Sequence, residues 1–131
     1  MIYGIGTDIV EIGRIKDAVE KWDDRFLKKI YTDKEIAYCY TKKDPFPNLA
    51  ARFAAKEAFI KALANDSYES GVLHSKTLNF KAIEILNHPN GKPYIVSPDA
   101  ALKGESLLVH VTLSHERSHA IATVILERKT A

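Results

Sequence analysis

An α+β fold in one domain spanning residues 1–131, a mostly antiparallel sheet packed on a long helix, is predicted by three observations. Apolar spacing is helical from Arg14 to about Ala64, strand-like alternation fills much of the second half, and an Ile- and Val-rich segment precedes both. The 131 residues suffice for one sizeable core and are too few for two. At 46 % hydrophobic and 27 % charged, the chain has a folded protein's balance.

Ile2 to Ile12 predicts the first strand, and Gly4 and Gly6 inside it predict a close approach by another backbone or a ligand. Arg14 to about Tyr40 predicts two or three helices, with Asp23-Asp24 and Thr32-Asp33 as N-caps. Pro45 and Pro47 predict a loop, after which Asn48 would cap a strong helix reaching about Ala64. Asn65 to Lys76 reads as a polar loop. Leu78 to Leu86 predicts a strand, and Asn90-Gly91 signals a hairpin into Lys92-Pro93-Tyr94-Ile95-Val96. Pro98 to Lys103 suits one helical turn ended by Gly104. Leu107, Val109, Val111 and Leu113 alternate before the apolar run Ala120 to Leu126, predicting an antiparallel core hairpin.

Several function classes drop out. A formal charge of +2 does not support a nucleic-acid coat. Lone Cys39 can form no internal disulfide and fits a reducing compartment. No apolar run reaches the ~18 residues of a membrane helix, and Met1-Ile2-Tyr3-Gly4 lacks signal-peptide character. The expectation is a soluble, cytoplasmic protein with neither nucleic-acid nor membrane partner. His115-Glu116-Arg117-Ser118-His119 has the H-E-x-x-H spacing, but it falls at a hairpin turn rather than on the helix that pattern needs, which argues against zinc hydrolysis.

Three anomalies remain. Glu57 falls on a helical stripe with Leu49, Ala50, Phe53, Ile60 and Ala64, at about 40° from Phe53. A carboxylate on a core-facing line must be paired, hydrogen-bonded or bound to a cation. Lys61 at i+4 offers a plain salt bridge; the alternative is a metal-binding or proton-accepting group. Asp8 interrupts a strand, where aspartate is disfavoured, and either takes backbone hydrogen bonds or faces a site. Two such carboxylates suit magnesium, although spacing alone does not bring them together. His115 continues the Leu107–Leu113 face at a hairpin turn, as a part-buried histidine or a ligand contact. Arg52 and Lys56, with Lys61, either receive a phosphate-bearing ligand or solvate the helix flank.

The blocks Gly4-Ile5-Gly6-Thr7-Asp8-Ile9-Val10-Glu11, Arg52-Phe53-Ala54-Ala55-Lys56-Glu57-Ala58-Phe59-Ile60-Lys61 and Leu113-Ser114-His115, with Asn90-Gly91-Lys92-Pro93, together resemble the small bacterial 4′-phosphopantetheinyl transferases that act as holo-acyl-carrier-protein synthases. One departure stands out: Ala64-Asn65-Asp66-Ser67 replaces the glycine-rich turn of many relatives. The resemblance implies the 4′-phosphopantetheinyl transferase fold and a reaction. Phosphopantetheine would pass from coenzyme A to a serine of apo-acyl carrier protein in fatty acid biosynthesis, releasing adenosine 3′,5′-bisphosphate. It further implies Asp8 and Glu57 as ligands of a Mg2+ cofactor, and Glu57, directly or through a metal-bound water, as acceptor of the serine proton. Lys61 would stabilise phosphate charge; Arg52, Lys56, Lys61, Gly91, Lys92, Pro93, Ser114 and His115 would contact coenzyme A. A homotrimer with active sites between subunits is implied as well.

Carrier proteins of this kind are acidic. Between Arg14 and Lys43 stand nine basic and six acidic residues, a net +3. Arg14, Arg25, Lys28 and Lys29, with Trp22 and Phe26 as apolar anchors, are expected to dock the carrier; a solvated amphipathic helix is the plainer reading. Two further readings stay open: a metal-dependent hydrolase of nucleotide pyrophosphates, and a non-catalytic module binding acidic carriers.

Overall fold

A computed structural model describes residues 1–63, 79–97 and 107–129. The expected loop over Asn65–Lys76 and the turn at Pro98–Gly104 lie outside the described residues, as does the departure at Ala64–Ser67. Strand β1 (Ile2–Glu11) leads into helices α1 (Ile12–Trp22), α2 (Asp24–Ile30), α3 (Asp33–Cys39) and the long α4 (Phe46–Leu63). Then come a 3-10 turn (Phe80–Ala82) and strands β2 (Glu84–Asn87), β3 (Pro93–Val96), β4 (Leu107–His115) and β5 (His119–Arg128). Strands β1, β5 and β4 form an antiparallel sheet in that order, and β2 pairs with β3. The α+β expectation holds.

Alternation decides how the main sheet packs. Gly4, Gly6, Asp8 and Val10 on β1 share one face with Ala120, Ala122, Val124 and Leu126 on β5, and α4 covers that face. The glycines make the close approach that the sequence predicted. A Cβ built on Gly6 would lie 1.9 Å from the Ala58 carbonyl oxygen, and one on Gly4 1.9 Å from that of Ala62.

The first half is capped largely as expected. Thr32 and Glu35 form a reciprocal capping box at α3. Asp23 separates α1 from α2 with φ at +47°, but its side chain caps neither helix. Three expectations need correction. Helix α4 starts at Phe46 rather than after Asn48: Asp44 Oδ1 accepts from the Phe46 amide at 3.1 Å, and Pro47 sits in the first turn, where its missing N–H costs no helical bond. The strand expected over Leu78–Leu86 begins only at Glu84, because Asn79 caps a 3-10 turn through Lys81. Third, the expected stripe is only in part a core face: its Leu49 and Ala50 are buried, but Phe53, Glu57 and Ile60 are half-buried. Alanines 51, 54, 55, 58 and 62, off that stripe, are buried as well, so the helix is enclosed on several sides by β1, β5, α1, α3 and β2. Apolar spacing cannot orient a helix that is apolar almost all round.

The outward face of the sheet carries Ile5, Thr7 and Ile9 opposite Ile125, Thr123 and Ile121. Ile5 and Ile9 are 61 % and 62 % exposed, and Ile2, Leu108 and Ile121 on the same face are exposed too.

Candidate active site

Three charged side chains meet where β1 crosses α4. Asp8 lies on the helix-facing side of β1, two residues beyond Gly6, so the close packing that the glycine permits brings its carboxylate to the helix. Lys61 Nζ donates to Asp8 Oδ1 at 3.1 Å and to the Thr7 carbonyl at 3.1 Å. The ammonium that could have paired with Glu57 at i+4 therefore spans from helix to strand.

Glu57 stands one turn before Lys61 and is half-buried. Its carboxyl is pushed above the usual range, first by burial and then by the charge of Asp8; Lys61 and Arg14 pull it back down. A like-charge effect of this kind means that both carboxylates act on one space. Folding raises the Glu57 pKa above 4.5, so its contribution to stability is full at low pH and is lost as pH rises through the raised value. Glu57→Gln is therefore expected to raise the thermal midpoint of the cation-free protein at pH 7 and to leave it near the parent's at pH 3. A lower midpoint at pH 7 contradicts the like-charge account.

Two carboxylates with excess negative charge form a hard oxygen donor set. Such a set suits magnesium, which takes one or two protein carboxylates and completes its shell from water and substrate phosphate. Asp8 and Glu57 are the residues that would hold it.

A family model of the 4′-phosphopantetheinyl transferase superfamily matches residues 4–124, which include all three groups. The chain belongs to this superfamily. It is 45 % identical over 131 residues to a holo-[acyl-carrier-protein] synthase of Halothermothrix orenii, covering 97 % of this chain and 98 % of that one. The solved holo-[acyl-carrier-protein] synthase of Helicobacter pylori, in complex with coenzyme A, superposes with a TM-score of 0.78 at 31 % identity, covering 94 % of this chain and 99 % of that one. The Bacillus anthracis synthase in complex with CoA (3′,5′-ADP) does so with 0.77 at 32 %, covering 99 % of both chains. Fold, family and enzyme class agree with what the sequence implied.

The other residues expected of a 4′-phosphopantetheinyl transferase fall into separate groups. Gly91, Lys92 and Pro93 form the β2–β3 turn, with Gly91 at φ +92° and the Lys92 amide donating to Asn90 Oδ1 at 3.0 Å. Arg52 points at this hairpin rather than at the carboxylates. Its Nη2 donates to Asn87 Oδ1, its guanidinium lies 4.4 Å from the centre of the Tyr38 ring, and its buried Nε has no partner. A concavity of about 290 Å³ opens here, lined by Lys34, Tyr38, Arg52, Asn87 and the stacked rings of His88 and Tyr94. His115 pairs with Ala120 at the end of β4, on the helix-facing side; Ser114 pairs with Ile121 and faces the opposite way. Both are exposed.

Lys56 does not fit its expected role. It is wholly enclosed, bonded to Glu35 and to the carbonyls of Phe80 and Ile83, and offers a ligand no surface. Among the docking residues, Arg14, Trp22, Arg25, Lys28 and Lys29 are exposed. Phe26 is instead half-buried, packed edge-on against Tyr31 at 6.2 Å between centroids. Sequence reasoning missed Glu35 and Asn87. The pattern Thr32-x-x-Glu35 could have flagged Glu35 as a cap; nothing local marked Asn87, which joins Arg52 to the Gly91 carbonyl.

Proposed function

We infer that the protein transfers 4′-phosphopantetheine from coenzyme A to a serine hydroxyl of apo-acyl carrier protein, releasing adenosine 3′,5′-bisphosphate. The observation that carries this is Asp8, brought by the Gly6 contact to the part of α4 that bears Glu57 and Lys61, in a chain that matches holo-[acyl-carrier-protein] synthases almost end to end. The serine oxygen forms a bond to the β-phosphorus of coenzyme A. The bond from that phosphorus to the bridging oxygen breaks, and its electron pair leaves with the bisphosphate. Glu57, one turn before Lys61 on the helix that faces Asp8, takes the serine proton. Lys61 supplies positive charge beside Asp8, where phosphate oxygens would gather. Mg2+ held by Asp8 and Glu57 would neutralise the pyrophosphate, the principal need of phosphoryl transfer.

Coenzyme A would also use Gly91, Lys92, Pro93, Ser114 and His115, while Arg52, only 2 % exposed, would hold the hairpin through Asn87. Ser114 faces away from the side of the sheet that carries Asp8, and Arg52 is turned to Asn87 of the β2–β3 hairpin, which supports sites shared between subunits. The exposed Ile5–Ile9–Ile121 face of the sheet supports a homotrimer built through it. Ile9→Asp is expected to yield monomers lacking transfer activity by light scattering and assay; an active monomer contradicts the shared site. A cytoplasmic role in fatty acid biosynthesis completes the reading, and buried Cys39, its thiol pushed up to about 11 by burial, is inert.

The carrier would dock on α1 and α2 through Arg14, Arg25, Lys28 and Lys29, with Trp22, 48 % exposed, as its apolar anchor. Lys28→Glu with Lys29→Glu is expected to raise KM for the carrier at least about tenfold at low salt and leave KM for coenzyme A unchanged. Equal carrier KM in parent and variant rules out this face. The function itself is tested by incubating the protein with coenzyme A, magnesium and apo-carrier and weighing the carrier. A phosphopantetheine mass gain is expected. Cleaved coenzyme A with unmodified carrier means a hydrolase, and carrier binding without cleavage means a binding module.

A further inference from the structure

Helix α4 has no single apolar stripe to set its rotation, yet the direction of Glu57 depends on that rotation. Two sets of contacts fix it. On one side the Ala58 and Ala62 carbonyls lie against Gly6 and Gly4. On another, Lys56, the neighbour of Glu57, directs its ammonium to Glu35 Oε1 at 2.9 Å, the Phe80 carbonyl at 2.8 Å and the Ile83 carbonyl. Its three N–H groups are all used. Glu35 is also wholly enclosed; Oε1 accepts from the Thr32 amide at 2.9 Å and Oε2 from the Ile85 amide at 3.0 Å. Ile83 and Ile85 lead straight into the hairpin that carries Gly91–Pro93.

We propose that Glu35 and Lys56 are a positioning pair for transfer, one buried contact that holds Glu57 towards Asp8 and fixes the β2–β3 hairpin to α4. This role rests on the transferase reading above. Neither residue touches the reacting groups. A buried ion pair is a poor source of stability, since apolar residues of like volume often replace it without loss. What it contributes here is direction. Every donor and acceptor is satisfied in one arrangement only, and turning α4 by one residue, about 100°, would break all of them.

The double variant Glu35→Gln, Lys56→Met removes both charges and nearly conserves volume. We expect it to fold with a lower thermal midpoint, because the Phe80 and Ile83 carbonyls lose their donor and the new amide sets an N–H against that of Thr32 or Ile85. Manganese(II) affinity, read by electron paramagnetic resonance, should weaken roughly tenfold, with KM for coenzyme A raised and kcat lowered. A folded double variant with unchanged manganese affinity and unchanged KM overturns the proposal. If the double variant does not fold, Glu35→Asp decides. It keeps both charges and shortens the reach by one methylene, so manganese binding should weaken several-fold; unchanged binding overturns the role. Failure of the parent protein itself to bind manganese overturns the metal assignment and this role with it. A parent that binds manganese while the variants do so equally well overturns only the positioning.

Discussion

Asp8→Asn is expected to lower phosphopantetheine transfer roughly a thousandfold, the effect of losing several kcal/mol of charge stabilisation at the transferred phosphoryl group. The substitution keeps the shape of the side chain, and the amide oxygen can still accept from Lys61 Nζ, now 3.1 Å away. The fold should therefore survive. Removing the Asp8 charge also removes the second-largest cause of the raised Glu57 carboxyl, so Glu57 should titrate closer to an ordinary glutamate. Activity within tenfold of the parent, in a protein with a parent-like melting curve, would show that Asp8 plays no part in the chemistry.

Gly6→Ala should cost both stability and activity. The new methyl carbon would lie 1.9 Å from the Ala58 carbonyl oxygen, a backbone atom that cannot swing aside as a side chain does. Relief requires α4 to lift from β1, at a cost of about 3 kcal/mol or more and a fall in thermal midpoint on the order of 10 °C. Because Asp8 is two residues along the same strand face, that shift also separates it from Glu57. Gly13→Ala is the internal comparison. Gly13 is exposed in α1 with nothing within 4 Å of an added Cβ, so alanine should stabilise by about 0.5–1 kcal/mol. Similar melting curves for the two variants contradict the close-packing account.

Much of this architecture was legible in residue order. Glycines two apart in a strand announced a backbone approach, and the two carbonyls of α4 make it. The alternation of Leu107 to Leu113 and the run from Ala120 gave the β4–β5 hairpin, and Asn90-Gly91 gave the β2–β3 turn. Asp8 and Glu57 were visible as charges in apolar company, but their meeting depends on the β1–α4 crossing, which no local pattern encodes. The misassigned face of α4 has the same origin: with alanine on several sides, periodicity cannot say which side the sheet covers. Lys56 was misread because a lysine beside a glutamate on an alanine-rich helix looks like a solvated flank. Its burial depends on distant partners, Glu35 21 residues earlier and the carbonyls of Phe80 and Ile83.

Asp8 and Glu57 are expected to place one divalent cation against the pyrophosphate of coenzyme A. The most direct measurement is phosphorus-31 relaxation of bound coenzyme A with manganese(II) in place of magnesium. In the parent protein, both pyrophosphate resonances should broaden strongly, and Asp8→Asn or Glu57→Gln should abolish the effect at equal coenzyme A occupancy. Pyrophosphate resonances that stay sharp in the parent, or broaden equally in both variants, would contradict the claim.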